Sequence, residues 1–374
     1  MLPRIYEDLD AYLKPAKVLI LFGPRQVGKT TLIQHYLAKT PYKYRLETGD
    51  NVQMQAILAI PHLAKLKEFV AGYELMVIDE AQKIQNIGNT LKLLVDQVPG
   101  LRIAVTGSSS FELAGQVGEP LTGRKMTLHL FPMSQLELTK VYNAYDLKQR
   151  LEEYLIYGSY PEVVMATSTS AKRQCITEIM QSYLLKDILE LDKIKNAKIL
   201  LDLLRLLAFQ IGKEVSLSEL ANSLGIDKKT VMRYLDLLEK SFVIYNLRGY
   251  SRNLRKEITK KSKYYFYDVG IRNAIISNFN AIDLRNDVGE LFENFIIIER
   301  IKKQVYQQIY ASNYFWRTWD QQEIDFVEER EGQLFGYEIK WKANKIKAPK
   351  DWMITYEGAQ FSVIHQDNYL EFVT

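Results

Sequence analysis

The stretch Gly23-Pro24-Arg25-Gln26-Val27-Gly28-Lys29-Thr30 constrains this chain more than any other. It follows the apolar run Val18-Leu19-Ile20-Leu21-Phe22 and precedes Thr31-Leu32-Ile33-Gln34-His35-Tyr36-Leu37, which reads as a helix. Strand, glycine-containing loop and helix in this order turn successive backbone N–H groups, and the positive end of the helix, toward one point. That arrangement suits a polyphosphate. Gly28 lets the backbone come close, Lys29 reaches the β- and γ-phosphates, and the Thr30 hydroxyl ligates Mg²⁺. The candidate nucleotide-binding residues are Gly23, Pro24, Arg25, Gln26, Val27, Gly28, Lys29, Thr30 and Thr31, and the expected ligands are ATP and Mg²⁺.

The pattern alone arises by accident in about one chain in a hundred of this length, so a second element is required. Leu75-Met76-Val77-Ile78-Asp79-Glu80 supplies it. A continuous apolar run ending in two acids reads as a fully buried parallel strand. Asp79 is expected to hold Mg²⁺ through water and Glu80 to orient or polarise the attacking water. A third strand, Leu101 to Thr106, ends in Gly107-Ser108-Ser109-Ser110. Ser108 there is either a sensor of the γ-phosphate or part of an ordinary polar loop. Arg124, in Leu121-Thr122-Gly123-Arg124, is either an arginine finger for its own or a neighbouring subunit, or a solvated loop arginine with a carboxylate partner.

At 374 residues, two or three domains are expected. The single cysteine, Cys175, excludes a disulfide framework within the chain and points to a reducing cytosol. The charged start, with Arg4, Glu7, Asp8, Asp10 and Lys14, is no secretory signal. No uncharged apolar run approaches the roughly 20 residues of a bilayer span. The expectation is a cytoplasmic protein without a membrane partner.

After Phe131-Pro132, a helical region runs from about Ser134 to Lys195, cut by the turn signal Gly158-Ser159-Tyr160-Pro161. Patches such as Tyr183-Leu184-Leu185 and Ile188-Leu189 recur at helical spacing, as in a helical lid. Ser216 to Gly225 then reads as a capped helix and a turn, Ile226 to Leu235 as the start of a second helix, and Phe242-Val243-Ile244-Tyr245 as a short strand. This is a helix-turn-helix with a wing. From Lys228 to Lys263 there are 11 Lys or Arg (228, 229, 233, 240, 248, 252, 255, 256, 260, 261, 263) against 3 acids (236, 239, 257), a local charge of +8 in a chain of net charge +4. Tyr245 and Tyr250 interleave with it. Such a patch suits nucleic-acid phosphates, with DNA the expected partner. It equally suits a protein-binding module or a solvated face.

The carboxyl-terminal region carries a second set. Gly289 to Ile298 reads as a helix bearing acids on an otherwise apolar surface. Tyr314 to Trp319, Glu323 to Val327 and Leu334 to Trp341 read as strands, the last two joined by a turn at Glu331-Gly332-Gln333. With a period of two, Glu338 and Lys340 share a face, and Asp325 comes alongside from the hairpin. Asp325 and Glu338 are candidate metal ligands, Lys340 a group that positions a nucleophile or steadies charge, and Glu293 a fourth member. Such a set suits metal-assisted phosphodiester hydrolysis. The alternative is a solvated strand face, where Glu and Lys alternate freely.

Taken together, GPRQVGKT at 23–30, VIDEAQ at 77–82, TGSSS at 106–110, LTGRKMTLHLFPMSQLEL at 121–138, YLIYGSYPEVV at 154–164, KSKYYFYDVGIRNAI at 261–275 and EIDFV with YEIKWK near the end give a chain that resembles the bacterial and archaeal AAA-type, STAND-like ATPases with a winged helix and a carboxyl-terminal domain of uncharacterised function. The resemblance implies an AAA-type ATPase core, with Arg124 as a family-type arginine and Arg25 as a loop arginine near the phosphates. It also implies a carboxyl-terminal domain similar to the PD-(D/E)xK nuclease fold. This chain departs from that motif in having no proline before its first acid, in Glu323-Ile324-Asp325.

The expected fold class is α/β: a P-loop AAA-type ATPase core over 1–133, a helical lid over 134–195, a winged helix-turn-helix over 196–275 and a restriction-endonuclease-like domain over 280–374. The expected function is ATP binding and hydrolysis coupled to DNA binding and metal-dependent cleavage. The alternative is a nucleotide-dependent switch that binds DNA or a protein partner without cleavage. An arginine finger acting between chains implies a homo-oligomer.

Overall fold

The computed structural model describes residues 2–108, 120–182, 197–250, 262–318, 320–343 and 345–374. Ser109 and Ser110, the patches at Tyr183-Leu184-Leu185 and Ile188-Leu189, the charged residues Arg252, Arg255, Lys256, Glu257, Lys260 and Lys261, and Trp319 lie outside the described residues.

The chain divides into two compact units. The first holds Pro3–Phe131 together with Lys240–Phe242. Its sheet has five strands, β1 (Val18–Phe22), β2 (Tyr44–Thr48), β3 (Leu75–Asp79), β4 (Arg102–Gly107) and β5 (Lys125–His129), in the order β2-β3-β4-β1-β5. Every pairing is parallel. All five residues of β1 are buried, which is why its sequence shows no polar alternation. Val18, Ile20 and Phe22 pack with Met76, Ile78, Ile103 and Val105, and with Leu91 and Leu94 of the helix Ile87–Gln97. Helix α1 (Lys29–Leu37) follows the glycine-containing loop directly. Because the strands are parallel, the carboxyl ends of β1, β3 and β4 share one edge of the sheet. That edge is where open α/β sheets take their ligands.

The second unit contains chiefly Pro132–Glu239 and Val243–Thr374. Its sheet has seven strands: β6 (Glu214–Val215), β7 (Ile244–Gly249), β8 (Ser262–Phe266), β9 (Ser312–Arg317), β10 (Glu323–Arg330), β11 (Gln333–Ile339) and β12 (Gln360–Ile364), in the order β12-β11-β10-β9-β7-β8-β6. Helix α2 (Leu217–Leu224) begins at Ser216, whose hydroxyl accepts from Glu219 N–H at 3.4 Å, and stops at Gly225 in the left-handed region. Helix α3 (Lys228–Lys240) starts where the Asp227 carboxylate accepts from the Thr230 N–H at 2.9 Å and its hydroxyl at 2.6 Å. These bonds hold the Asp227 carboxyl below its ordinary pKa, the Thr230 hydroxyl contributing most.

Strand β7 pairs antiparallel with β8 and parallel with β9, where Arg248 stands opposite Tyr314 and Gly249 opposite Phe315. Tyr250 N–H extends the second pairing by donating to Phe315 O at 2.6 Å. One sheet therefore joins strands from β6, before α2, to β12. Helix α4 (Val288–Tyr306) sets Phe292, Phe295 and Ile296 in one core with Phe315, Phe326, Tyr337 and Ile339. A smaller core gathers Trp316, Ile324 and Val327 with Trp352 of the helix Lys350–Thr355.

Candidate functional site

At the carboxyl edge of the first sheet, Gly28 takes φ 93° as the residue before α1. Gly23 is required for a different reason: a Cβ there would stand 2.0 Å from the Leu130 carbonyl oxygen. Lys29 is buried, and its ammonium donates to the carbonyls of Gly23 and Pro24, both at 2.8 Å. The loop thus wraps the Lys29 ammonium.

Thr30, one residue on, donates its hydroxyl to Asp79 Oδ2 at 2.8 Å. Thr106, near the end of β4, donates to Asp79 Oδ1. The Thr106 hydroxyl also accepts from Glu80 N–H at 3.1 Å. Strand β4 lies between β1 and β3 in the sheet, so a polar residue at its end is placed to tie the two signature strands together. Glu80 has φ 51°, an uncommon backbone for a non-glycine residue, and its carboxylate accepts from Gln82 Nε2. Gln82 also donates to Ser108 Oγ at 3.2 Å. Beside this corner a cavity of about 310 Å³ is lined by Thr30, Ile33, Gln34, Leu46, Glu47, Thr48 and Asp79.

The structure therefore brings Lys29, Thr30, Asp79, Glu80 and Ser108 to one sheet edge. Thr106 and Gln82 were not read from the sequence as site residues. The available signal was a threonine closing an otherwise apolar strand and a glutamine two places after the acids.

The donor set fits Mg²⁺. The Thr30 hydroxyl and the Asp79 carboxylate are hard oxygen donors 2.8 Å apart. That is close to the separation of neighbouring ligands around an octahedral ion with bonds near 2.1 Å.

Arg124 lies elsewhere. Its carbonyl accepts from Val18 N–H at 2.8 Å, beside the first residue of β1. The phosphate loop starts after the last residue of β1, about 13 Å away at the usual strand rise. The Arg124 guanidinium pairs with Asp96 at 2.6 Å. An arginine-finger position at its own chain's loop is thus corrected: the parallel register puts Arg124 on the opposite edge of the sheet.

In the second unit the carboxyl-terminal set does converge. Continuing the β10–β11 register one step beyond Phe326 and Tyr337 puts Asp325 across from Glu338. The register with β9 shifts between Ile324 and Val327, an irregularity of the kind that re-aims side chains. Asp325 Oδ2 accepts from Ile339 N–H at 2.8 Å, and Lys340 Nζ lies 3.4 Å from the same oxygen and 2.7 Å from Glu338 Oε1.

Glu293, on α4, accepts from the Tyr265 hydroxyl at 2.6 Å and lies 3.7 Å from Lys263 Nζ, whose closer partner is Glu323 at 2.6 Å. Burial, reinforced by the charge of Asp325, pushes the Glu293 carboxyl up to about 8. Burial and Asp325 likewise raise Glu338. Burial works against the Lys340 ammonium, but Asp325 and Glu338 outweigh it and raise its pKa.

Two expectations change here. Among the described residues, no group of three or more His, Cys, Asp or Glu is arranged to hold a metal ion. Glu293, Asp325 and Glu338 are engaged with Lys263, Lys340 and Tyr265. Lys263, counted with the basic patch, is only 2% exposed and spends its charge on Glu323 and Glu293. Lys228, Lys229 and Arg233 of α3 are exposed. Lys263, Tyr265 and Glu323 were missed as members of the cluster, because nothing in their local sequence distinguishes them from a strand's solvated face.

The comparisons with known proteins agree with the first site and leave the rest open. Residues 15–139 match the family described as AAA domain, which supports an AAA-type P-loop ATPase core. Residues 148–281 and 288–363 match two domains of unknown function, DUF8612 and DUF4143. An uncharacterized protein of Mycobacterium tuberculosis is 29% identical over 88% of this chain and 71% of its own length. An uncharacterized protein of Methanocaldococcus jannaschii is 24% identical over 97% of this chain and 88% of its own length. The crystal structure of protein VC1899 from Vibrio cholerae aligns over 95% of this chain and 96% of its own at a TM-score of 0.18 and 10% identity, too low to carry an argument. No helix among the described residues is long and apolar enough to cross a membrane.

Proposed function

We propose that this chain binds and hydrolyses ATP with Mg²⁺, and that its nucleotide state governs how the basic helix α3 meets a nucleic-acid partner. One observation carries the first part: the Thr30–Asp79–Thr106 hydrogen-bond bridge beside the loop that wraps Lys29. In this reading the loop N–H groups and Lys29 bind the phosphates, while Thr30 and Asp79 hold Mg²⁺, which supplies neutralisation of phosphate charge. Glu80, steadied by Gln82, orients the attacking water, and Ser108 lies in the same network as a γ-phosphate sensor. The test is steady-state phosphate release by wild type, Lys29→Ala and Glu80→Gln. Equal release from all three overturns the reading.

The second part is supported by the exposed Lys228, Lys229 and Arg233 on α3, the second helix of a helix-turn-helix followed by a strand pair. The lid over 134–195, the winged helix over 196–275 and the nuclease-like domain over 280–374 are kept as functional divisions of one compact unit. Arg124, remote from its own loop, is assigned to a neighbouring chain's nucleotide in a homo-oligomer. Mixing Arg124→Ala with Lys29→Ala chains tests this, since each lacks a different half of a shared site.

A second reading, metal-dependent cleavage, is favoured by the convergence of Asp325, Glu338 and Lys340. Mg²⁺ needs only one or two carboxylates from a protein, and Asp325 with Glu338 supply that number beside Lys340; a switch without cleavage is kept as the alternative. Plasmid cleavage with Mg²⁺ or Mn²⁺, lost in Asp325→Ala, decides for the nuclease, and its absence decides for the switch.

A further inference from the structure

Three residues from far along the chain, Lys240–Phe242, belong to the first unit. They form the link from α3 to β7. The Phe242 ring stands edge-on to Phe22 at 5.3 Å, to His129 at 5.8 Å and to Phe131 at 6.0 Å. Phe22 is the last residue of β1, and the phosphate loop begins at the next position. Its carbonyl accepts from Leu130 N–H at 2.7 Å, and the Leu130 carbonyl in turn closes over Gly23 so tightly that no side chain fits there. The aromatic group that Phe242 joins is thus packed on the peptide from which the loop springs.

Phe242 also has φ 53°. A bulky residue in the left-handed region is an outlier, and such strain persists only where the surroundings over-determine it. Here the ring contacts supply that determination. A shift of the loop's first peptide moves Phe22. Phe22 bears on the Phe242 ring, and Phe242 is joined by two peptide bonds to the last residue of α3.

We propose that Phe242 is a positioning residue that couples the phosphate loop to helix α3 and strand β7. Nucleotide binding resets the Phe22–Phe242 contact, and the link either relaxes or tightens the end of α3. The proposal rests on the reading of Gly23–Thr30 as a nucleotide site, and it does not depend on what α3 binds.

The test is hydrogen–deuterium exchange on the full chain, with and without saturating Mg²⁺ and ATPγS, in wild type, Phe242→Ala and Phe242→Leu. The leucine variant keeps most of the apolar volume and serves if the alanine variant is poorly folded. In wild type, exchange over 23–37 is expected to slow by about tenfold, and exchange over 228–249 to change by about threefold or more. In the variants the loop response is expected to remain and the 228–249 response to vanish. A merely structural ring would alter basal exchange in both states and leave the response to nucleotide in place. A loop response in wild type without any change over 228–249, or a 228–249 response that survives in both variants, overturns the coupling and spares the nucleotide site. No loop response in wild type overturns the nucleotide site, and the coupling with it.

Discussion

Thr30 and Asp79 are 49 positions apart in sequence and share a 2.8 Å hydrogen bond. Each belongs to a different signature segment, and the bond forms because β1 and β3 end at the same edge of a parallel sheet. Removing either oxygen should therefore abolish the Mg²⁺ dependence of nucleotide binding. Thr30→Ala is expected to weaken Mg²⁺-ATP binding about tenfold or more with little change for metal-free ATP. Titration calorimetry with and without Mg²⁺ measures the difference.

Glu80 is held by Gln82, while the loop lysine is held by the carbonyls of Gly23 and Pro24. Glu80→Gln should leave ATP affinity near wild type and lower the hydrolysis rate by about 10²- to 10³-fold. Gln82→Ala should lower it less, because the carboxylate survives without its support. Rapid-quench kinetics separates the two effects from binding.

Lys263 and Lys229 carry the same charge and should fail differently. Lys263 is buried between Glu323 and Glu293, and Lys263→Ala is expected to cost about 3 kcal/mol in stability, because it leaves the Glu323 carboxylate without its closest partner. Lys229→Ala should leave stability unchanged and reduce the salt dependence of nucleic-acid binding by about one unit of slope. Urea unfolding reads the first, and fluorescence anisotropy across a salt series the second.

Glu293 should make stability fall as the pH rises. Its carboxyl titrates near 4.5 when unfolded and at about 8 when folded, raised by burial and by the charge of Asp325. Between those values the folded chain holds a proton that the unfolded chain has released. Raising the pH through this window therefore removes stability, which is fully present below about 4.5. Glu293→Gln should flatten that part of the curve of melting temperature against pH, and an unchanged slope would show that other groups carry it.

The first unit was legible because its chemistry is local. A loop of eight residues, a flanking apolar strand and a pair of acids name their own surroundings. Helix α2 was legible for a similar reason, since Ser216 and Gly225 bound it with side-chain and backbone signals that act within a few residues. What was hidden depends on pairing across the sheet. Arg124 looks like a loop arginine near a glycine-rich stretch, and only the register of β5 on β1 reveals that it lies at the other end of the strands from Gly23–Thr30. Lys263 reads as one more positive charge until its side chain is placed against Glu293 of α4 and Glu323 of β10. The triplet Glu338-Ile339-Lys340 announced a shared face, but the ammonium lying against both Asp325 and Glu338 is a property of three-dimensional spacing.

The parallel pairing of β7 with β9 has a bearing on how such a chain can be cut or recombined. The two strands belong to stretches that look separable in sequence, 148–281 and 288–363, yet each supplies the other's hydrogen-bonding edge. Severing the chain between them bares two open strand edges, which are templates for aggregation. A descendant that exchanged one stretch for a foreign counterpart would keep its solubility only if the newcomer brought a strand able to dock in the same register.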